Sequence, residues 1–271
     1  MNADDFGLSP GVNDGILEAH AAGTVSSISM LVNAPGWEHG LAALRQMSRP
    51  PGVGLHLNLT AGEPVGEPRL AEGPTGRFPG LVRLLARALA RQIDPAHIAQ
   101  ECAAQLARLR AVGLPVTHID SHRHVHALPG ILEAVVETAR AHQVPFLRVP
   151  VERGELGVAA GGARAWGKRR VLAWSWRLAV AGVSLPRHPD HFRGLGLQGE
   201  RDFLSRLLAL LEHLQPGTTE LMVHPGRPDL TLAAWDGYVS PRATELAALT
   251  SSRVRERLGR GDLALTNFAA L

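Results

Sequence analysis

Apolar and polar positions along the chain fall into short strand-like runs separated by longer helix-like ones. Ser9 offers an N-cap and Pro10 suits a first helical position, so "GVNDGILEAHAA" is predicted to be a helix that Gly23 closes. "TVSSISMLVN" (24–33) is rich in β-branched residues and predicts a strand. In "PPGVGLHLNLT" (50–60), Leu55, Leu57 and Leu59 alternate with His56, Asn58 and Thr60, which places the polar three on one strand face. "PVTHIDSH" (115–122), "VPFLRVP" (144–150), "ELMVHPG" (220–226) and "DLALTNF" (262–268) are further strand candidates. Helical patterns near 37–47, 80–92, 95–112, 129–142, 166–182 and 199–214 separate them. A Gly/Pro-rich stretch (61–80) and a Gly/Ala-rich one (151–165, with "GVAAGG" inside it) read as loops.

Strands alternating with helices, and no shift of composition along the way, predict an α/β fold with a mainly parallel sheet. Counting the N-terminal stretch, about seven strand candidates favour a distorted (β/α) TIM-like barrel formed by one domain over residues 1–271. The first strand is expected to be almost absent, because only Met1 precedes "NADDFG".

Composition adds exclusions. With 271 residues, 45% of them hydrophobic, the chain can bury a substantial core. Net charge is only +3, the one basic cluster ("GKRR", 167–170) is short, and aromatics are 4%, which argues against nucleic-acid binding. Cys102 is the only cysteine and cannot form an internal disulfide, so a reducing, cytoplasmic setting without a leader peptide is expected. No run of about 18 uncharged apolar residues is present, so no integral membrane segment is expected. The nearest, "VLAWSWRLAVAGVSL" (171–185), follows basic residues and carries two Trp; it fits either a membrane surface or a buried helix, and the buried helix is the expectation. A homo-oligomer is compatible with this size, but no segment specifies an interface.

The candidate chemistry sits at strand ends. Asp4 and Asp5 are adjacent like charges, which need a cation or hydrogen-bond donors unless they form a solvated turn. "HIDSHRHVH" gathers His118, Asp120, His122, His124 and His126, while His56 and His224 fall near the ends of other strands. In (β/α) barrels the C-terminal strand ends converge on one mouth. His118, Asp120 and His122 share a face of a strand and its exit, so not all five residues of the cluster can be ligands. Two imidazoles and one carboxylate would leave coordination positions open for water and substrate. One aspartate could then bind metal while the other serves as a base.

Together, "NADDFGLS", "SSISMLVN", "GLHLNLT", "THIDSHRHVH", "LRVP", "VHPG" and "YVSPRATELAAL" resemble the YdjC-like carbohydrate deacetylases, the family of chitooligosaccharide deacetylase. The resemblance implies a distorted (β/α) barrel and hydrolysis of the N-acetyl group of an acetylated amino sugar. It implies metal ligation by Asp5, His56 and His122, a catalytic base at Asp4 and a proton donor to the leaving amine at His224. Arg148 and Asp120 would support the site; His124 or His126 could also be a ligand, ranked below the other three, or the two would contact sugar hydroxyls or cap the next helix. The implied cofactor is one divalent ion, Mg²⁺ by resemblance, although imidazole ligands suit Zn²⁺ or another transition metal. Residues 160–195 resemble the hopanoid-associated branch, which implies a lipid-linked sugar as an alternative to an oligosaccharide. Two other readings fit the same residues: a metal-dependent phosphoesterase and a catalytically inactive sugar-binding homologue.

Overall fold

A computed structural model describes residues 1–72, 76–153 and 161–271. Parts of both loops expected from the sequence, 73–75 and 154–160 (most of "GVAAGG"), lie outside the described residues. Seven parallel strands form one curled sheet: β1 (Asn2–Phe6), β2 (Ser27–Met30), β3 (Gly52–Leu57), β4 (Val116–Ser121), β5 (Phe146–Leu147), β6 (His191–Arg193) and β7 (Thr219–Val223). Their order is β5-β4-β3-β2-β1-β7-β6, which makes the architecture a distorted (β/α) barrel in which β5 and β6 end the sheet. Helices α1 (Pro10–Ala21), α2 (Trp37–Arg45), α3 (Leu81–Leu89), α4 (Pro95–Arg110), α5 (Leu132–Ala141), α6 (Ala163–Ala179) and α7 (Phe203–Glu212) lie along the connections. After β7 come α8 (Leu230–Trp235), α9 (Ser240–Leu249) and α10 (Ser252–Leu258).

Local chemistry accounts for much of this. Ser9 caps α1 by accepting a hydrogen bond from the Val12 amide at 3.2 Å, with Pro10 at the first helical position. Asp94 caps α4 in the same manner, accepting from the Ala96 amide at 2.9 Å. Strands β1, β2 and β4 are buried throughout, as expected when helices cover a parallel sheet.

Three expectations are corrected. The first strand is present: β1 is built from "NADDF" itself and lies between β2 and β7. Its polar composition hid it, since only Ala3 and Phe6 read as core. "DLALTNF" (262–268) forms no strand and ends in a short 3₁₀ turn at Phe268–Ala270. The missing strand is instead β6, three residues long and too short to show a period. The helix expected near 166–182 runs from Ala163 to Ala179, and the burial expected of its apolar stretch holds on one side only.

Candidate active site

The pair Asp4–Asp5 poses a geometric problem, because neighbours on a regular strand point to opposite faces. The structure resolves it with a bulge. Between Ala3 and Phe6, β1 advances three residues while β2 advances two, from Ile28 to Met30. Asp5 takes the left-handed conformation, with φ of 68°. Both carboxylates therefore reach one pocket of about 330 Å³. The glycine of "DDFG" is required in the same turn: Gly7 has φ of 95°, and a Cβ there would lie 2.4 Å from the Leu31 carbonyl oxygen.

Each aspartate has its own buried arginine. Arg148, just after β5, donates from Nη1 and Nη2 to the two Asp4 oxygens at 2.7 Å each. The same guanidinium lies 2.7 Å from Asp120 Oδ2 and 2.7 Å from Glu220 Oε1. Arg242, on α9, donates to Asp5 Oδ2 at 2.6 Å. Burial works against the Asp5 charge, but Arg242 and His122 outweigh it and hold its carboxyl well below the usual carboxylate range. For Asp4, burial and the Asp120 charge prevail over Arg148 and raise the carboxyl above its ordinary value.

Two histidines meet the other oxygen of Asp5. His122 Nδ1 lies 2.9 Å from Asp5 Oδ1, and His56 Nε2 lies 3.3 Å from the same atom. His56 is oriented from behind by Asp120, whose Oδ1 is 2.7 Å from Nδ1 and whose Oδ2 accepts from Ser29 Oγ at 2.8 Å. Burial would lower the His56 ring, yet Asp120 and Asp4 raise it to about 10. His122 Nε2 is buried with no hydrogen-bond partner among the described residues. Asp5, His56 and His122 each present one donor atom within 4.8 Å of the others, so these buried groups could hold a metal ion. The carboxylate behind His56 is the usual support for a metal-binding imidazole. Asp4, His56 and Asp120 form a second close group, but there Asp4 and Asp120 are both paired with Arg148 and Asp120 with His56.

His224, just beyond β7, lines the same pocket, with Nε2 3.9 Å from Asp4 Oδ2. Burial, aided by Arg242 and Lys168, keeps its ring well below the ordinary histidine value and thus uncharged near neutrality. Glu245 on α9 accepts the His224 amide at 2.6 Å and the Tyr238 hydroxyl at 2.6 Å, which fixes the wall around it.

The five residues expected as ligands, base and proton donor, Asp5, His56, His122, Asp4 and His224, thus line one pocket. His124 lines it too, whereas His126 is structural: its ring contacts Ser121 Oγ and the Arg148 carbonyl. Neither caps α5, which has no side-chain cap. His118 lies deeper, 3.0 Å from Ser29 Oγ, and Asn58 and Thr60 leave the strand face to shape a loop. Arg242, Glu245, Tyr238 and Glu220 escape a reading of strand ends. Arg242, Glu245 and Tyr238 lie within "YVSPRATELAAL", for which the sequence pattern predicts no element although Ser240–Leu249 forms α9, and Glu220 begins a strand candidate rather than ending one. A larger cavity, about 590 Å³, is lined by Met1, Thr218 and Thr219 at the opposite strand ends and contains no histidine.

The YdjC-like protein family model matches residues 1–260. A carbohydrate deacetylase of Vibrio vulnificus is 34% identical over 271 residues, covering 100% of this chain and 95% of its own. One of Brevibacillus brevis is 35% identical over 274 residues, covering 100% and 98%. A human carbohydrate deacetylase is 34% identical over 291 residues, covering 98% and 88%. Among solved structures, an Enterococcus faecalis protein provisionally described as a cellobiose-phosphate cleavage protein superposes with a TM-score of 0.76. It is 25% identical, with 99% of this chain and 96% of that one covered.

Proposed function

The chain belongs to the YdjC-like family, and on that premise we propose that its domain, residues 1–271, is a metal-dependent carbohydrate deacetylase hydrolysing the N-acetyl group of an amino sugar. The observation that carries this reading is the convergence of His122 Nδ1 and His56 Nε2 on Asp5 Oδ1, at 2.9 Å and 3.3 Å. Asp5, His56 and His122 would hold one divalent ion. When bound, the ion would polarise the acetyl carbonyl and make water easier to deprotonate. The family resemblance implies magnesium, but two imidazoles and a carboxylate suit zinc, manganese or cobalt better.

The chain's own residues divide the remaining work. Asp120 accepts the Nδ1 proton of His56, and the proton that the ring otherwise carries at Nε2 would be displaced by an ion held there. Arg148 grips both oxygens of Asp4 and fixes its direction into the pocket. Asp4 takes the proton of the attacking water, a role that its raised carboxyl suits. The water oxygen bonds to the acetyl carbon and the C–N bond breaks, giving acetate and a free amine. His224 protonates the departing nitrogen. Since its ring starts neutral, it must first receive a proton, and Asp4 Oδ2 at 3.9 Å is within a small movement of it.

Acetate release from acetylated amino sugars, with phosphate esters assayed in parallel and chelator as control, tests the proposal. Chelator-sensitive acetate release is expected. Turnover of phosphate esters alone would replace it with a phosphoesterase, and metal loading with no turnover would make the chain a sugar-binding homologue.

A further inference from the structure

Helix α6 (Ala163–Ala179) buries one side and leaves the other open. Leu172, Ser175, Trp176 and Ala179 face the core. On the opposite side Trp166, Arg170, Trp174 and Arg177 follow at steps of four, four and three, which makes one continuous stripe on a helix. Trp166 is 60% exposed and Trp174 53%, and they are flanked by Val171 at 57% and Leu178 at 48%. Arg170 lies over the Trp166 ring, 5.4 Å from its centroid. Arg164, Lys168, Arg169, Arg170 and Arg177 make the helix strongly basic, and it has no acidic residue. Lys168 turns inward to Gln198 and Arg169 approaches Glu152, while Arg170 and Arg177 have no ion pair among the described residues.

The helix that carries this stripe also reaches the pocket with other residues. Arg164 and Lys168, one turn apart at the start of α6, line the pocket that holds Asp4 and His224. Leu81, the first residue of α3, lines it as well. Helix α3 in turn exposes Val82 (81%) and Leu89 (49%), seven residues apart and so on one face. Both helices beside the mouth thus show solvent-exposed apolar residues among arginines.

Aromatic rings interleaved with unpaired arginines and flanked by aliphatic residues match the layering of a bilayer surface. Tryptophan favours the headgroup level, arginine pairs with lipid phosphate, and aliphatic side chains enter the acyl boundary. A second copy fits poorly, because it would set one acid-free basic helix against another. Charge complementarity therefore selects an anionic partner, and the aliphatic flank selects one with an apolar interior. We propose that α6 docks the protein on an anionic lipid surface through this stripe. No helix among the described residues is long and apolar enough to cross a membrane, so the contact is peripheral.

The test is flotation of the full chain with vesicles of mixed phosphatidylcholine and phosphatidylglycerol, and with phosphatidylcholine alone. The protein is expected to float with the anionic vesicles, with a blue shift of tryptophan emission, and to bind the neutral ones far less. Arg170→Glu with Arg177→Glu is expected to reduce partitioning by at least roughly tenfold, since each cation near such a surface counts separately. Trp174→Ser with Val171→Ser is expected to reduce the blue shift, leaving the part due to Trp166, and to weaken binding. All four residues are solvent-facing, and an unchanged thermal melt would verify folding. Wild-type protein that stays unbound in both vesicle types would overturn the proposal, as would folded variants that float equally well. A dimer in sedimentation equilibrium that Trp174→Ser dissolves would assign the face to a second copy and overturn it too.

Discussion

Asp5 and Arg242 are 237 positions apart in the chain, yet Arg242 Nη2 lies 2.6 Å from Asp5 Oδ2 and both side chains are buried. This pairing leaves Oδ1 of the same carboxylate free to face His56 and His122. Removing one partner of a buried pair strands the other charge away from water. Arg242→Ala is therefore expected to destabilise the protein by about 3–5 kcal/mol, and Arg242→Lys by less. Chemical denaturation of both variants checks this; an Arg242→Ala protein as stable as wild type would show that Asp5 does not depend on the pair.

Asp4 is held by Arg148 and is placed outside the group of Asp5, His56 and His122. Asp4→Asn keeps the shape and removes the proposed base. Its kcat is expected to fall by roughly 10²–10⁴-fold, with metal binding retained. Acetate-release kinetics alongside a metal titration separate the two effects. Loss of metal binding in this variant would place Asp4 among the ligands.

Asp120 touches His56 Nδ1 at 2.7 Å and orients the ring without facing the pocket itself. Asp120→Asn is expected to weaken metal affinity by roughly 10–100-fold while leaving some activity at saturating metal. Competition against a chelating dye measures the affinity. Unchanged affinity would mean that His56 is positioned by packing alone.

Cys102 is fully buried on α4, and burial, reinforced by the Glu101 carboxylate, pushes its thiol up to about 12. A raised thiol value lowers the reactive thiolate fraction at any pH below it. The native protein is expected to resist alkylation at about pH 8, where an ordinary exposed cysteine reacts, and to react on unfolding. Mass spectrometry of iodoacetamide-treated protein, with and without denaturant, provides the check.

Much of this architecture can be read from local pattern. Ser9 and Pro10 announce α1, and the Leu/His alternation at 55–59 announces β3 and the inward direction of His56. Position at strand ends also brings His122 and His224 to one mouth before any coordinates are known. What stays hidden depends on contacts distant in sequence. "NADDF" lacks a strand's hydrophobic signature because its polar side chains are satisfied by Arg148, Arg242 and Ser29, from other elements. The bulge that turns Asp4 and Asp5 the same way is a matter of register with β2, which one strand's sequence does not encode. Strand β6 is three residues long and carries no period. The arginines and tryptophans of α6 signal an open face, while its alanine and leucine content, which in a barrel helix ordinarily signals burial, points the other way.

In the proposed reaction Asp5, His56 and His122 together would grip the divalent ion on which turnover depends. Anomalous diffraction from crystals grown with manganese tests it most directly. One strong anomalous peak is expected, bounded by the Asp5 carboxylate and the two imidazoles. A map with no peak among those three residues, from crystals whose dissolved protein releases acetate only when manganese is supplied, would contradict it.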